Sequence, residues 1–427
     1  FIINQYMRLN IVIVDDSKQM RMIGELRDCM DTAALHDPVK FIKAIIMNCL
    51  MVKMRNIPIK NTSGSIEHKL RNLIFEAIAR LPHSEAVKPF AKALVKPLLE
   101  QLPKESEENA LVILRILAEL YKNNRSLEQD CVIPFLEFVR RLYETLQITV
   151  TNTFNAPALV QPNSAPSKEY IYFSSLKQTA GPDGTAPKPE TALVLAPNSF
   201  KVLTECPAIV VLLFKLHSES SKPKIFKDFI IKALLISTPD SASETHRQQY
   251  SDLMSAQVKT LSFLAHMIRH YMDHFDTTDE AVPKCVITTL QHCANESAST
   301  RKDLLIAARY ILSTEFRLGF LPYLDLLLEP MFLIGNGRTC YDTLRPLVYS
   351  TLADFVHHIR DKLTLTQLSL AVYAYAKNIQ DASLAFSIQT MSVKLLQNLL
   401  EPIFKYGLEG RPVLVKIFEV FVNKLKS

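Results

Sequence analysis

Glycine is scarce in this chain, 9 residues of 427, which removes most of the positive-φ turns that tight hairpins and phosphate-cradling loops need. Helix is favoured before any pattern is read. Cysteine pairs are missing too: Cys29, Cys49, Cys131, Cys206, Cys285, Cys293 and Cys340 are scattered and never spaced as CxxC. An odd, dispersed set fits free thiols in a reducing compartment and argues against a disulfide framework. No apolar run approaches the roughly 20 residues that cross a bilayer, the longest being Ala208 to Phe214. The first residues lack the charged, apolar and cleavage regions of a secretory signal. Charge of one sign is missing as well, since 49 Lys and Arg face 43 Asp and Glu, mixed along the chain, for a net +6. That balance gives no support to direct nucleic-acid binding. No GxSxG, HExxH, HRD or DFG element occurs. The sequence therefore assigns no catalytic residue, no cofactor and no metal ligand, and points to no small-molecule substrate.

What is present is length and apolar content, 48% hydrophobic residues, enough for a large core. Apolar side chains recur at three and four: Leu70, Leu73, Ile74 and Ile78, then Leu94, Leu98 and Leu99, then Leu111, Leu114, Leu117 and Leu120, then Phe135, Phe138, Val139 and Leu142. That is helix spacing. Pro82, Pro103 and Pro134 are read as punctuation between or at the starts of these helices, and Pro97 as the site of a kink. From Phe200 the pattern resumes and predicts helices over Phe200–His217, Ile225–Ile236, Ser255–His274, Val282–Cys293, Arg301–Phe316, Phe320–Leu328, Leu344–Ile359, Leu365–Lys377, Ile388–Leu400 and Val413–Leu425. Pairs of helices return at about 40 residues, the period of HEAT-type solenoids.

The expected fold is all-α, an α-solenoid of stacked HEAT-like helical hairpins. Its hairpins occupy residues 1–150 and continue over 200–427. Between them, residues 151–199 carry seven of the 23 prolines and the turn Gly181-Pro182-Asp183-Gly184. Such a composition is expected to form a long mobile insertion rather than packed structure. The chain starts at Phe1 without methionine and stops inside a helical pattern near Lys426, as a piece of a longer protein would.

Several stretches imitate functional motifs. Ile11-Val12-Ile13-Val14-Asp15-Asp16-Ser17 resembles the first strand and acidic pocket of a phosphate-accepting receiver domain, where adjacent carboxylates help to hold Mg²⁺. A receiver needs a second strand ending in aspartate, and Phe41 to Met54 contains none. The alternative is that Asp15, Asp16 or Ser17 caps a helix running through Met20, Ile23, Leu26 and Met30. His266, His270 and His274 share one helical stripe, with Cys285, His292 and Cys293 on the next helix. Eight residues of helix span about 12 Å, too far for three ligands on one ion held at about 2 Å, so they are read as surface or interface histidines. The pair His357-His358 points to two different faces. Gly335-Asn336-Gly337 is read as a plain turn, because neither a third glycine nor a Walker lysine follows. Lys88, Lys92 and Lys96 form one helical stripe, and Lys222, Lys224 and Lys227 stand at the entry to another helix. These six are the candidate docking residues, suited to steering an acidic partner.

The stretch Arg301-Lys302-Asp303-Leu304-Leu305-Ile306-Ala307-Ala308-Arg309-Tyr310, followed by Phe320-Leu321-Pro322-Tyr323-Leu324-Asp325 and Thr343-Leu344-Arg345-Pro346-Leu347-Val348-Tyr349, resembles the N-terminal helical region of the TRRAP (transformation/transcription domain-associated protein) family. Leu368-Ser369-Leu370-Ala371-Val372 and Ser387-Ile388-Gln389-Thr390-Met391 continue it, and weaker matches reach back to about Leu70. The resemblance implies part of a very large nuclear scaffold of HEAT-like repeats, related to the phosphatidylinositol-3-kinase-related kinases but ending in a pseudokinase. It implies a transcriptional coactivator without enzymatic activity, with acidic activators and histone acetyltransferase complex subunits as partners. Periodicity alone leaves other HEAT scaffolds open, such as a transport receptor or the helical arm of an active kinase.

Overall fold

A chain this poor in turn residues and this rich in helical periodicity has one economical way to bury its apolar stripes, which is to lay helix against helix. The computed structural model describes residues 15–33, 37–60, 65–82, 84–124, 127, 129–155, 199–216 and 221–426, and among these the regular structure is entirely helical. Two compact units are present, residues 1–222 with 237–256 and residues 223–236 with 257–427.

The first unit opens with α1 (Asp16–Asp28) and a run through Pro38–Phe41, the π-helix Ile42–Leu50 and Met51–Asn56. It continues through α2 (Ile66–Ala79), the 3₁₀ segment Glu85–Phe90, α3 (Ala91–Gln101), α4 (Glu107–Asn123), α5 (Gln129–Phe154) and α6 (Phe200–Leu216). α2, α4 and α6 lie side by side in one layer, and α3 packs on α5 in the other. Stacking of this kind covers each hairpin with the next.

α7 (Ser221–Leu234) falls almost wholly in the second unit, and α8 (Arg247–His270) gives its part from Gln257 onward. α9 (Ala281–His292), α10 (Ala298–Leu312), the 3₁₀ segment Glu315–Tyr323 and the single turns Leu324–Leu327 and Pro330–Ile334 follow. α11 (Arg338–Ile359), α12 (Leu365–Gln380), α13 (Phe386–Phe404) and α14 (Arg411–Lys426) complete it. Here α10, α11 and α13 form one layer while α12 packs on α14 in the other. Two-layer stacking of hairpins in each unit is the HEAT-like solenoid arrangement that the sequence predicts.

Capping side chains set many of the starts. The Asp15 carboxylate accepts the Ser17 amide at 3.0 Å and begins α1, whose buried face is Ile23 and Leu26. The receiver-like stretch therefore ends in a helix cap, with Ile11 to Val14 outside the described residues. Ser65, Ser106 and Ser297 cap α2, α4 and α10 in the same way, and Thr364 with Gln367 forms a reciprocal capping box at α12.

Pro82 and Pro103 fall between helices, as the spacing predicts, whereas Pro134 lies inside α5 instead of at its start. Pro97, Pro207, Pro346 and Pro402 lie inside helices as well. Each forgoes one backbone bond at a cost of about 3 kcal/mol, and burial of the surrounding apolar stripe outweighs it. Two predicted helices also change form. α8 stops at His270, and His274 falls in a separate 3₁₀ turn, Met272–His274. Phe320–Leu328 divides into 3₁₀ and α pieces around Pro322, where Gly319 lets the chain pass so close to Pro283 that a Cβ would meet its ring at 2.8 Å.

Two buried arginines fasten the units internally. In the first, Arg71 is 1% exposed and bonds Glu105 at 2.8 Å, the Ile57 carbonyl at 2.7 Å, Gln101 at 3.0 Å and the Met54 carbonyl. Removing one partner of such a buried pair costs about 3–5 kcal/mol. In the second, Arg301 is fully buried and has no carboxylate partner among the described residues. Its guanidinium donates to the carbonyls of Leu290 at 2.6 Å, Leu333 at 3.0 Å and Phe332, closing the ends of two helices. Burial lowers its pKa to about 10, so it stays charged at neutral pH.

Candidate docking surfaces

The six candidate lysines divide on inspection. Lys88 sits in the 3₁₀ segment Glu85–Phe90, while Lys92 and Lys96 are on α3, so the stripe crosses two elements. Lys88 pairs with Glu85 at 2.7 Å. Lys92 and Lys96 share the Asp130 carboxylate at 3.4 and 2.6 Å, and the hydrogen bond from Lys96 leads the effects that hold that carboxyl below its usual pKa of 3.8. All three ammonium groups remain partly exposed, with two carboxylates beside them. Lys88 also edges a cavity of 360 Å³ together with Asn123 and Asn124.

Lys222 and Lys224 lie in the first turn of α7, where their side chains are outside the described residues. Lys227 is half-buried, its ammonium 5.3 Å from the centre of the Phe275 ring and 3.3 Å from the His274 carbonyl oxygen. Those contacts fix the start of α7 against the segment after α8.

The histidine stripe separates where α8 ends. His266 and His270 stay on the helix with ring centroids 4.4 Å apart, whereas His274 turns away to stack on Tyr271 at 6.4 Å. Among the described residues no group of three or more His, Cys, Asp or Glu converges as a metal site would require. Gly335 and Gly337 take φ of +81° and +99°, and the Asn336 amide donates to the Ala294 carbonyl at 2.7 Å. The turn serves Arg301, whose Nε lies 3.1 Å from where a Cβ on Gly335 would sit.

One surface was missed by sequence reasoning. In the second unit the turn Leu324–Leu327, the start of Pro330–Ile334 and one face of α12 enclose a groove of 420 Å³ floored by Tyr341 and Tyr349. Met331, Leu370 and Tyr373 line it and are 45%, 44% and 72% exposed. Its signal in the sequence was weak, because Leu370 and Tyr373 are three apart on a helix whose buried face is also apolar.

Among known families, the model described as Tra1 HEAT repeat central region matches residues 249–427. The transformation/transcription domain-associated protein of Danio rerio is 39% identical over 371 residues, covering 84% of this chain and 10% of that protein. Its Homo sapiens counterpart is 38% identical over the same shares. The SAGA complex/NuA4 acetyltransferase complex subunit TRA1 of Saccharomyces cerevisiae is 31% identical, covering 95% of this chain and 12% of its own length. The chain thus spans about a tenth of the relatives it matches. The matching family model describes a central region, where the resemblance read from the residues implied an N-terminal one.

Proposed function

Because the chain belongs to the Tra1/TRRAP family of HEAT-repeat proteins, we propose that it is a segment of a nuclear transcriptional coactivator scaffold that works by protein contact and not by chemistry. The partners proposed are acidic activators and subunits of histone acetyltransferase complexes. The observation that carries this is the yeast relative, named as a subunit of the SAGA and NuA4 acetyltransferase complexes, aligned over 95% of this chain. Stacked hairpins support it physically, since they expose long helical surfaces suited to binding segments that fold on contact.

For the acidic partner, Lys88, Lys92 and Lys96 are the steering charges proposed. Exposed charges act mainly on association rate and are screened within about 8 Å at physiological salt. Glu85 and Asp130 offset part of their field. Changing the three lysines together to Ala should slow association of an acidic activation-domain peptide at low salt and leave dissociation nearly unchanged. Asp130→Asn should have the opposite effect. Stopped-flow kinetics with both variants is the test, and equal association rates for parent, triple variant and Asp130→Asn would remove this patch from the mechanism.

A further inference from the structure

Several charges on the surface of the second unit pair with neighbours. Lys259 pairs with Asp303 at 2.7 Å, Arg309 with Asp354 at 2.6 Å, Arg345 with Asp381 at 3.0 Å and Lys405 with Asp361 at 3.1 Å. The 420 Å³ groove carries charges outside these pairs. Asp325, Glu329 and Lys377 line it, and none of them enters an ion pair among the described residues. Unanswered charge surrounds an apolar floor here, and Met331, Leu370 and Tyr373 together keep large side chains in water. Exposed apolar side chains gathered in one place mark an interaction site more often than a structural accident.

The layout has a direction. Asp325 accepts a hydrogen bond from the Gln367 amide at 3.1 Å, which places the acidic end of the groove at the first turn of α12. Lys377 lies ten residues further along that helix, roughly 15 Å at 1.5 Å per residue. Between them Leu370, Tyr373 and Ala374 form a ridge at helical spacing. The floor is rigid: Tyr341 lies 4.6 Å under the Arg345 guanidinium, and the Tyr349 carbonyl accepts the buried Tyr375 hydroxyl at 2.8 Å. A trough about three turns long, acidic at one end and basic at the other, fits a helix better than it fits a small molecule. The open walls and the few convergent polar groups argue the same way.

We propose that this groove docks an amphipathic helix of a partner protein, running antiparallel to α12, with an apolar stripe ended by basic residues in its last turn and acidic residues in its first. Acidic first turns and basic last turns also suit a helix's own dipole, so the required charge order is one that helices readily carry. The partner's last-turn Arg or Lys meets Asp325 and Glu329, and its first-turn carboxylate meets Lys377. Its apolar stripe covers Tyr373, Leu370 and Met331, where methionine adapts to the side chains presented. This apolar groove with charge of both signs differs from the lysine patch on the first unit, so the two surfaces select different partners.

The test uses the whole chain, immobilised, against a display library of amphipathic 16-residue helices with random charges in the first and last turns. Selected helices should carry Arg or Lys in the last turn and Asp or Glu in the first, and Tyr373→Ala should weaken them at least tenfold. That residue is 72% exposed, so its removal leaves the packing intact. Reversing the acidic end with Asp325→Arg and Glu329→Arg should exchange the preference, so that helices with acidic last turns are enriched. The proposal fails if selected helices show no charge order, bind Tyr373→Ala as well as the parent chain, or keep their basic last turns after the reversal.

Discussion

Glu107 shows how much one side chain can depend on its surroundings. It is 8% exposed at the first position of α4, with Lys201 at 3.6 Å, and Lys201 in turn lies 3.8 Å from Asp252. Burial raises the Glu107 pKa above its usual 4.5, and the Asp252 carboxylate adds to the rise. The Ser199 hydroxyl and the Lys201 ammonium oppose it without cancelling it. In the unfolded chain the group ionises near 4.5, while in the folded chain it keeps its proton to higher pH. The folded state therefore binds more protons across that window, and stability falls as pH rises through it. Glu107→Gln keeps the shape and removes the charge. Its melting temperature should exceed the parent's at neutral pH, and the difference should vanish below pH 4.5, which thermal melts across that range would show.

At the scale of elements, the two edges of the proline-rich segment are more informative than its composition. α5 runs on to Phe154, so the helical region extends past residue 150, and Phe154 stacks on Phe200 of α6 with ring centroids 6.1 Å apart at 12°. His246 and Tyr250 close around Phe154 at 5.8 and 6.4 Å. Of residues 151–199, over which a mobile insertion is expected, 151–154 are helical and 156–198 lie outside the described residues, while Phe154 and Phe200 on either side are packed together. Replacing 156–198 with a Gly/Ser linker of about eight residues, with an end-to-end reach of roughly 15 Å, should leave the circular dichroism spectrum and the melting temperature unchanged. Phe200→Ala in the same background should cost about 3–5 kcal/mol in a urea melt. Helix positions were legible because i, i+3, i+4 spacing survives in sequence, and the predicted Val282–Cys293 and Leu365–Lys377 fall within a few residues of α9 and α12. The π-helix Ile42–Leu50 was not legible, since its apolar residues Ile42, Ile45, Ile46 and Cys49 read as ordinary helix spacing. Nor was the sharing of Asp130 by two lysines, a contact between helices that charge spacing along one helix cannot reveal.

For the whole molecule, the resemblance gave the family where periodicity gave only the fold, and the groove depended on side chains from separate elements that only folding brings together. The central claim is that this chain acts as a contact scaffold within an acetyltransferase assembly. Cross-linking mass spectrometry on the full-length protein, purified natively under a tag, tests that claim most directly. The predicted result is acetyltransferase-complex subunits in the preparation, with cross-links from lysines of this chain to at least one of them. A full-length protein that purifies without such subunits, or that carries them with no cross-link to residues 1–427, would contradict it.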